Sequence, residues 1–225
     1  MTPRVEHRFL ASRSSGEVSA ILDRPDGARW LMVLGHGAGA GMRHRFMEGV
    51  AAALASRGIA TFRYQFPYVE QGSRRPDPQP ILLATVRSAV AAAVAAAGDL
   101  PVLAGGKSMG GRMTSLASAD GGLPAARGLV FFGFPLHPAG APATVRADHL
   151  DRVATPMLFL AGTRDKLADL ELLRPVTERL GSRVTLHVVD GADHSFEVPK
   201  RSGRALPDVL DELATTVRTW ADRLD

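Results

Sequence analysis

The sequence predicts an α/β fold, in which one mostly parallel sheet of seven or eight strands carries helices on both faces. Three observations support this prediction. Short apolar runs of strand length alternate with helical segments along the 225 residues, the order that produces β-α-β units. The runs Trp30–Leu34 and Gly128–Phe132 are apolar without alternation, as expected for strands buried on both faces. Glycine-rich or polar segments follow the strands, at the sheet edge where α/β proteins place their ligands.

The first part of the chain predicts antiparallel strands followed by parallel β-α units. Residues 5–22 alternate between polar and apolar side chains up to a turn, which indicates one or two strands. After the strand over 30–34, residues 45–57 carry apolar side chains at helical spacing and end at Gly58, a common helix stop. The next predicted strand is Ile59–Tyr64.

The remaining elements continue the strand–helix period. The segment Pro67–Pro80 is interrupted by prolines and predicts a loop. The elements expected after it are a helix over 81–97, a strand from 102, a helix over 109–119, strands over 128–132 and 156–162, a helix over 169–180, a strand over 183–189 and a helix over 207–223. Helices between successive strands make parallel pairing the expected arrangement.

The composition is that of a globular protein and narrows the functional classes. Hydrophobic residues make up 45% of the chain and charged residues 22%, and the length fits a single domain over residues 1–225. The net charge of +4 arises from scattered residues, so we expect no nucleic-acid partner. The chain has no cysteine, which excludes disulfides, thiolate metal sites and a cysteine nucleophile.

The terminal and apolar segments predict a soluble cytoplasmic protein. The N-terminal sequence lacks the apolar stretch of a signal peptide. The longest apolar run, Ala89–Ala97, is too short to cross a bilayer. We therefore expect no membrane partner, and a homodimer is left open as one form of assembly.

The segment Gly106-Lys107-Ser108-Met109-Gly110 joins a predicted strand to a predicted helix and fits the pattern G-x-S-x-G. In this motif a sharp turn holds the serine in a strained conformation with its hydroxyl at the top of the sheet. The glycines leave room for the helix to approach the neighbouring strands. Phosphate-binding loops also contain a Gly-Lys-Ser triplet, but here Pro101 stands where their upstream glycine is required. Ser108 is therefore the candidate nucleophile.

A serine nucleophile needs a base and an acid, which in this motif follow the serine along the chain in the order Asp or Glu, then His. Asp165 comes directly after the strand over 156–162 and is the expected acid. Of its rivals, Asp169 is placed to cap the next helix and no strand leads into Asp148. His194 lies in the loop after the last predicted strand and is the expected base.

The tetrahedral intermediate of such a reaction needs two backbone N–H donors for its oxyanion. Met109, the residue after the nucleophile, is expected to supply one of them. The other is expected from the glycine-rich segment after the strand over 30–34, at Ala38 or Gly39. This chemistry requires no metal and no cofactor.

With these motifs the chain resembles the α/β-hydrolase superfamily, in its small dienelactone-hydrolase-like branch. It is most similar to the group that includes a mammalian testis-expressed protein and a subunit of a histone-acetyltransferase complex. The matching segments are residues 35–39, 66–68, 74–78, 106–112, 133–135, 162–165 and 191–194. The resemblance implies an α/β-hydrolase fold and cofactor-free hydrolysis of an ester or thioester. The dienelactone enzymes use a cysteine where this chain has Ser108, so dienelactone is a doubtful substrate.

The substrate pocket is expected to be open. Only about twenty residues separate the strands over 128–132 and 156–162, too few for a lid domain. The candidate substrate contacts are His36, Tyr68, Lys107, Phe134 and His137. Arg74 and Arg75 lie near the expected mouth, where they either favour an acidic substrate or form part of a solvated loop.

The first functional hypothesis is a serine hydrolase that cleaves an ester or thioester of a small molecule through an acyl-enzyme on Ser108. The second is a non-catalytic interaction module on the same scaffold, as the chromatin relative implies. The third is a serine peptidase or acyltransferase with the same three residues. The first is favoured over the second because a scaffold has no physical need for three converging polar side chains.

Overall fold

The computed structural model describes residues 4–224 and has a single eight-stranded sheet at its centre. The strands are β1 (Arg4–Ser12), β2 (Gly16–Asp23), β3 (Trp30–Gly35), β4 (Ile59–Tyr64), β5 (Val102–Lys107), β6 (Ala126–Phe132), β7 (Met157–Gly162) and β8 (Val184–Val189). Their order across the sheet is β1-β2-β4-β3-β5-β6-β7-β8. β2 pairs antiparallel with both of its neighbours, and all other pairs are parallel. The predicted α/β fold is confirmed.

Helices cover both faces of the sheet. They are α1 (Arg45–Ala55), α2 (Pro67–Glu70), α3 (Gln79–Ala97), α4 (Met109–Ala119), α5 (Leu170–Leu180) and α6 (Leu206–Ala221). The short helix α2 occupies part of the segment that was expected to be a loop. Helix α3 also begins earlier than expected, because Pro80 lies in its first turn, where a residue without an N–H group is tolerated.

The sheet separates two apolar cores. Successive side chains of a strand point to opposite faces, so Leu31 and Val33 pack with α3 and α4. Met32 and Leu34 pack on the other face with α1 and α6. Burial on both faces explains why β3 reads as a continuous apolar run in the sequence.

The sequence prediction that no segment is long enough to cross a membrane does not hold for helix α3. Within residues 4–224 it is the one helix whose length and apolar composition meet that requirement, with a mean hydropathy of 1.8. It packs against β1, β3 and α4, and Ala89 and Ala93 are fully buried. The core helix of a globular protein meets the same requirement, so this feature is weak evidence for a membrane span.

The connections at one edge of the sheet position the candidate site. The turns after β3, β5, β7 and β8 all leave the carboxyl ends of parallel strands, where α/β folds bind their ligands. Between β6 and β7, at the usual position of a lid, the described chain forms one 3₁₀ helix, Val145–Arg152, and no larger insertion. The site at this edge has no lid domain above it.

Candidate active site

Ser108 lies between the last residue of β5 and the first residue of α4 in a strained backbone conformation. Its φ and ψ angles are 50° and −113°, values that a residue with a side chain rarely adopts. Two hydrogen bonds hold the turn: the Ser108 N–H donates to the carbonyl of Phe132 over 3.0 Å, and its carbonyl accepts from the N–H of Arg112 over 3.1 Å. This conformation lifts the hydroxyl clear of the strand and the helix.

The glycines beside Ser108 are required by close backbone contacts. A Cβ atom on Gly106 would lie 2.2 Å from the carbonyl oxygen of Gly35, and one on Gly110 would lie 2.3 Å from the same oxygen. Real Cβ atoms do not come this close to backbone, so α4 and the end of β3 approach each other only because these positions lack side chains. The spacing of the sequence motif therefore has a steric cause.

The side chains of Ser108, His194 and Asp165 form a chain of hydrogen bonds. The Ser108 Oγ and the Nε2 atom of His194 are 3.0 Å apart. Nδ1 of His194 lies 2.9 Å from Oδ1 and 2.8 Å from Oδ2 of Asp165. With the proton on Nδ1 donated to the carboxylate, Nε2 is free to accept the hydroxyl proton. The structure thus brings together the three side chains that the sequence order selects.

Two backbone N–H groups also hold the carboxylate of Asp165 in place. Its Oδ1 atom accepts hydrogen bonds from the N–H groups of Leu167 (2.8 Å) and Ala168 (3.2 Å). Burial by itself raises the pKa of this carboxyl, but the His194 hydrogen bond and charge, the Leu167 N–H and the charge of Lys107 outweigh it and lower the pKa below its usual value. The carboxylate is therefore ionised at neutral pH and orients the imidazole.

Lys107 places its ammonium group beside these three side chains. Nζ lies 5.9 Å from the ring centre of Phe46 and 5.7 Å from that of Phe196. Burial lowers the pKa of Lys107 to about 8, while the charges of Asp165 and Asp193 act in the opposite direction. The ammonium is therefore a partly buried cation with two carboxylates in its surroundings.

Gly133, the first residue after β6, marks the point on which these groups converge. A Cβ atom there would lie 3.3 Å from Lys107 Nζ, 3.3 Å from Asp165 Oδ2 and 3.4 Å from Cε1 of His194. The backbone of Gly133 has a φ of +69°. The backbone conformation favours glycine here, and a side chain would crowd the three groups around it.

Two cavities open beside Ser108. The first, which we call the lysine cavity, has a volume of about 420 Å³, and its lining includes Lys107, Phe46 and His194. The second, the arginine cavity, has a volume of about 400 Å³, and its lining includes Arg112 and Arg146. The residues that line both cavities are Ala38, Ser108 and Leu167. The two cavities therefore meet at Ser108.

The expected oxyanion donors lie next to Ser108. Met109 is the first residue of α4, so its N–H has no partner within the helix. The N–H of Ala40 donates to the carbonyl of Gly37 over 3.2 Å, and such a turn does not use the N–H groups of its two central residues, Ala38 and Gly39. Gly39 has a φ of +71° and lines the lysine cavity with Ala38.

Comparison with known proteins places the chain in a family. Residues 28–222 match the model of a family described as an alpha/beta hydrolase domain. The chain belongs to this family.

This α/β-hydrolase is similar to some proteins in sequence and to others in fold. Two proteins of Mycobacterium tuberculosis strains, both named "Putative phosphoribosyl transferase", are 31% identical over 186 residues, which cover 81% of this chain and 40% of each relative. The dienelactone hydrolase of Anabaena variabilis has a TM-score of 0.76 at 20% identity, with 96% of both chains covered. An α/β serine hydrolase without a lid from Xanthomonas campestris has a TM-score of 0.74 at 21% identity, with 98% of this chain and 96% of that chain covered. At such identities the solved structures show a common fold.

Of the five expected substrate contacts in this hydrolase, only Lys107 lines either cavity at Ser108. Phe134 is buried in the core against Phe131 and Phe159. The side chains of Tyr68 and His137 are also buried, at 1% and 2% exposure. These side chains line neither cavity, although the Tyr68 hydroxyl lies close to the backbone of Gly39.

His36 is the plainest difference from the sequence prediction. It is fully buried, and its Nε2 atom accepts a hydrogen bond from the N–H of Phe66 over 3.1 Å. Nδ1 lies 2.8 Å from the carbonyl oxygen of Gly37, to which it donates. Burial lowers the pKa of His36 to about 4, so the ring is neutral. It joins the loop after β3 to the loop after β4 and does not line the pocket.

Sequence reasoning missed Arg112 and Arg146 as parts of the site. Arg112 lies four residues after Ser108, and this spacing places two residues on the same face of a helix. That signal was available in the sequence. Arg146 lies in the 3₁₀ helix between β6 and β7, and nothing in its local sequence indicates that it reaches the same cavity. Arg74 and Arg75 are exposed and line neither cavity.

Among residues 4–224 no group of three His, Asp or Glu side chains is arranged to hold a metal ion. The groups that the site itself offers are its side chains and backbone N–H donors. A serine hydroxyl hydrogen-bonded to an imidazole, with backbone N–H groups next to it, is the arrangement that acyl transfer requires.

Proposed function

We propose that the protein is a serine hydrolase that cleaves a carboxylic ester or thioester of a small molecule through an acyl-enzyme on Ser108. The observation that carries the proposal is the hydrogen-bonded chain from Ser108 through His194 to the buried Asp165, with Oγ–Nε2 and Nδ1–Oδ2 distances of 3.0 and 2.8 Å. Membership of the hydrolase family supports the reaction class.

In the first half of the proposed reaction, Nε2 of His194 takes the hydroxyl proton while Oγ of Ser108 bonds to the substrate carbonyl carbon. The carbonyl oxygen becomes an oxyanion, which accepts hydrogen bonds from Met109 N–H and from Ala38 or Gly39 N–H. The bond from carbon to the leaving oxygen or sulfur then breaks, and the leaving group receives the proton from His194. Asp165 stabilises the imidazolium while it carries that proton.

In the second half, water replaces the leaving group. His194 Nε2 takes a proton from the water, whose oxygen bonds to the acyl carbon. The bond from that carbon to Ser108 Oγ breaks, and the proton returns from His194 to Oγ. The products are a carboxylic acid and an alcohol or thiol, and the enzyme regains its starting protonation state.

The alternatives have less support from the described residues. An interaction module has no need for a serine held at a strained φ of 50° with its hydroxyl on an imidazole, because such strain persists only when the surrounding structure enforces it. A peptidase or acyltransferase would use the same three side chains and differ in the second substrate. The membership of the group with the testis-expressed protein is part of our proposal.

The name of the mycobacterial relatives does not change the proposed reaction. The match covers only 40% of each of those proteins. Their name describes the whole protein, and more than half of that protein lies outside the match. Residues 28–222 of this chain fall within the hydrolase domain. We therefore assign ester or thioester hydrolysis, and not phosphoribosyl transfer, to the site at Ser108.

The proposal predicts that a fluorophosphonate reagent labels Ser108 stoichiometrically. Peptide mass spectrometry of the adduct identifies the modified residue. Labelling should disappear in Ser108→Ala and in His194→Ala, because the serine is a poor nucleophile without its base. The matched control is Ser118→Ala, which removes a hydroxyl from the same helix, α4, away from the cavities.

The outcomes separate the alternatives. Labelling at Ser108 that survives in Ser118→Ala and vanishes in His194→Ala supports the hydrolase. An absence of labelling in protein shown to be folded by circular dichroism would favour the interaction module. Labelling that persists in His194→Ala would mean that another group activates the serine.

A further inference from the structure

The arginine cavity contains positive charge that no described acidic side chain neutralises. Arg112 and Arg146 both line it. Neither forms an ion pair or a side-chain hydrogen bond with any residue in the described part of the chain. In the lysine cavity, by contrast, the basic side chains have carboxylates near them, so this pair of guanidinium groups is exceptional in the site.

The guanidinium of Arg112 is partly buried and incompletely bonded. Its Nε atom is inaccessible to solvent and has no hydrogen-bond partner, which is unfavourable for a charged donor. Burial lowers the pKa of Arg112, and the charge of Arg146 lowers it further, with no acidic group acting in the opposite direction. Two cations therefore line the same space, and neither is paired with an acidic side chain of the described residues.

Asp77 is the acidic residue in the lining of this cavity, and it has another role. Its Oδ2 atom accepts a hydrogen bond from the N–H of Tyr68 over 2.9 Å. This bond fixes the start of α2. Asp77 does not contribute to the pKa shift of Arg112, so it does not neutralise that arginine.

The lysine cavity offers an anion a poorer environment. Lys107 has the carboxylates of Asp165 and Asp193 in its surroundings, and an entering anion would meet both. Arg45, also in the lining, forms an ion pair with Glu197. The difference favours the arginine cavity for a negatively charged group.

The spacing of Ser108 and Arg112 along the chain also suits a small substrate with two acidic groups. Arg112 follows Ser108 by one helical turn, which is about 5 Å of rise. Ser108 and Met109 line the same cavity. A small acid that places its ester carbonyl at Ser108 therefore extends a second acidic group towards Arg112 and Arg146. Arginine suits this task because its planar fork binds a carboxylate through two parallel hydrogen bonds.

We propose that the arginine cavity binds a carboxylate carried by the substrate, so that the protein hydrolyses monoesters or monothioesters of small dicarboxylic acids. The ester carbonyl lies at Ser108 and the free carboxylate between Arg112 and Arg146. The leaving alcohol or thiol occupies the lysine cavity. This substrate class rests on the proposed hydrolase function. Hydrolysis and binding are therefore measured separately, so that a failure of the carboxylate site can be told from a failure of the hydrolase function.

The test compares two esters that differ in charge: mono-4-nitrophenyl glutarate and its neutral methyl ester. For the wild-type protein, we expect kcat/KM to be roughly 10- to 100-fold higher for the anionic ester, the size of one well-placed charge-assisted contact. Arg112→Met and Arg146→Met should each reduce the ratio of the two kcat/KM values towards one. Arg112→Lys should retain part of the preference, because it keeps the charge and loses the fork.

The matched control is Arg74→Met, which removes an exposed arginine outside both cavities and should leave the ratio unchanged. Equal hydrolysis of the two esters by the wild-type protein would overturn the proposal. A preference abolished by Lys107→Met but not by Arg112→Met would also overturn it, because the anion would then lie in the lysine cavity.

A binding measurement keeps the proposal testable if the hydrolase function fails. Ser108→Ala protein is titrated with monomethyl glutarate in a calorimeter. Binding that is lost in the Ser108→Ala/Arg112→Met double variant supports the carboxylate site even when neither ester is hydrolysed. Hydrolysis of the neutral ester together with fluorophosphonate labelling, but without binding of the acid, would refute the carboxylate site and leave the hydrolase function intact.

Discussion

The two cavities that meet at Ser108 are similar in volume and differ in how their cations are surrounded. In the lysine cavity, the ammonium of Lys107 lies near the stacked rings of Phe46 and Phe196, with the carboxylates of Asp165 and Asp193 nearby. In the arginine cavity, the charge of Arg146 lowers the pKa of Arg112, and no acidic side chain acts on Arg112 in the opposite direction. A cation near carboxylates serves the protein's own electrostatics, whereas a cation without them is available for a ligand. The count of basic residues in a pocket therefore says less than the position of the acidic ones.

The largest effect is expected from replacing Ser108, which lines both cavities. Ser108→Ala should lower kcat by roughly 10⁶-fold and Asp165→Asn by roughly 10⁴-fold, for any substrate and whichever cavity holds its charge. The Ser108→Ala/Asp165→Asn double variant should be no slower than Ser108→Ala alone, because the residues act as a unit. Steady-state assays with both esters provide the measurement. Additive losses would contradict the shared mechanism.

An intermediate effect is expected from crowding the three side chains around Gly133. Gly133→Ala would add a Cβ atom 3.3 Å from both Lys107 Nζ and Asp165 Oδ2, so we expect a clear loss of kcat. The left-handed backbone also destabilises the variant by about 1–2 kcal/mol.

Gly140→Ala is the matched control, since Gly140 has a φ of +76° and no atom within 4 Å of the added Cβ. Urea unfolding should show a similar loss of stability in both variants. Only Gly133→Ala should lose activity. Equal activities in the two variants would mean that the groups around Gly133 can move apart without consequence.

The smallest expected effect concerns stability and pH. Burial lowers the pKa of Lys107 from 10.5 to about 8. Between these values the unfolded chain binds more protons than the folded protein, so this residue makes stability rise with pH across that window. Below it, the folded protein bears the full cost of the buried ammonium.

Lys107→Met should therefore increase the free energy of unfolding at pH 7 by on the order of 2 kcal/mol, and this advantage should shrink as the pH approaches 10. Urea unfolding at both pH values tests it, with Lys200→Met, at an exposed lysine, as a control. A less stable Lys107→Met protein would show that Asp165 and Asp193 outweigh burial, which would widen the contrast with the arginine cavity.

The fold and the positions of the candidate catalytic side chains were predictable because their causes are local. Continuous apolar runs indicate strands buried on both faces, and a serine flanked by glycines between a strand and a helix is typical of a sharp turn that presents a nucleophile. Asp165 and His194 followed from their positions after β7 and β8, since parallel strands bring their carboxyl ends to one edge. Element ends were less accurate, as at Pro80, because a proline both ends and begins helices.

The walls of the pocket were harder to predict, because they depend on which way side chains point across the sheet edge. His36 follows a strand as Ser108 does, yet its ring turns inward to bond the loop after β4. Arg146 reaches the site from the segment between β6 and β7, and the path of that segment is set by packing rather than by its own sequence. Such positions follow from three-dimensional contacts that one sequence does not display.

The tight backbone contacts around Ser108 have a consequence for how the protein tolerates mutation. Any side chain at Gly105, Gly106 or Gly110 would overlap backbone atoms of neighbouring strands or turns, at 1.9, 2.2 and 2.3 Å from the nearest carbonyl oxygens. The cavity walls are made of side chains that can change size without moving the backbone. In a library of random variants we therefore expect substitutions at the three glycines to be depleted and those at the walls to persist, so that substrate range can change while the nucleophile stays in place.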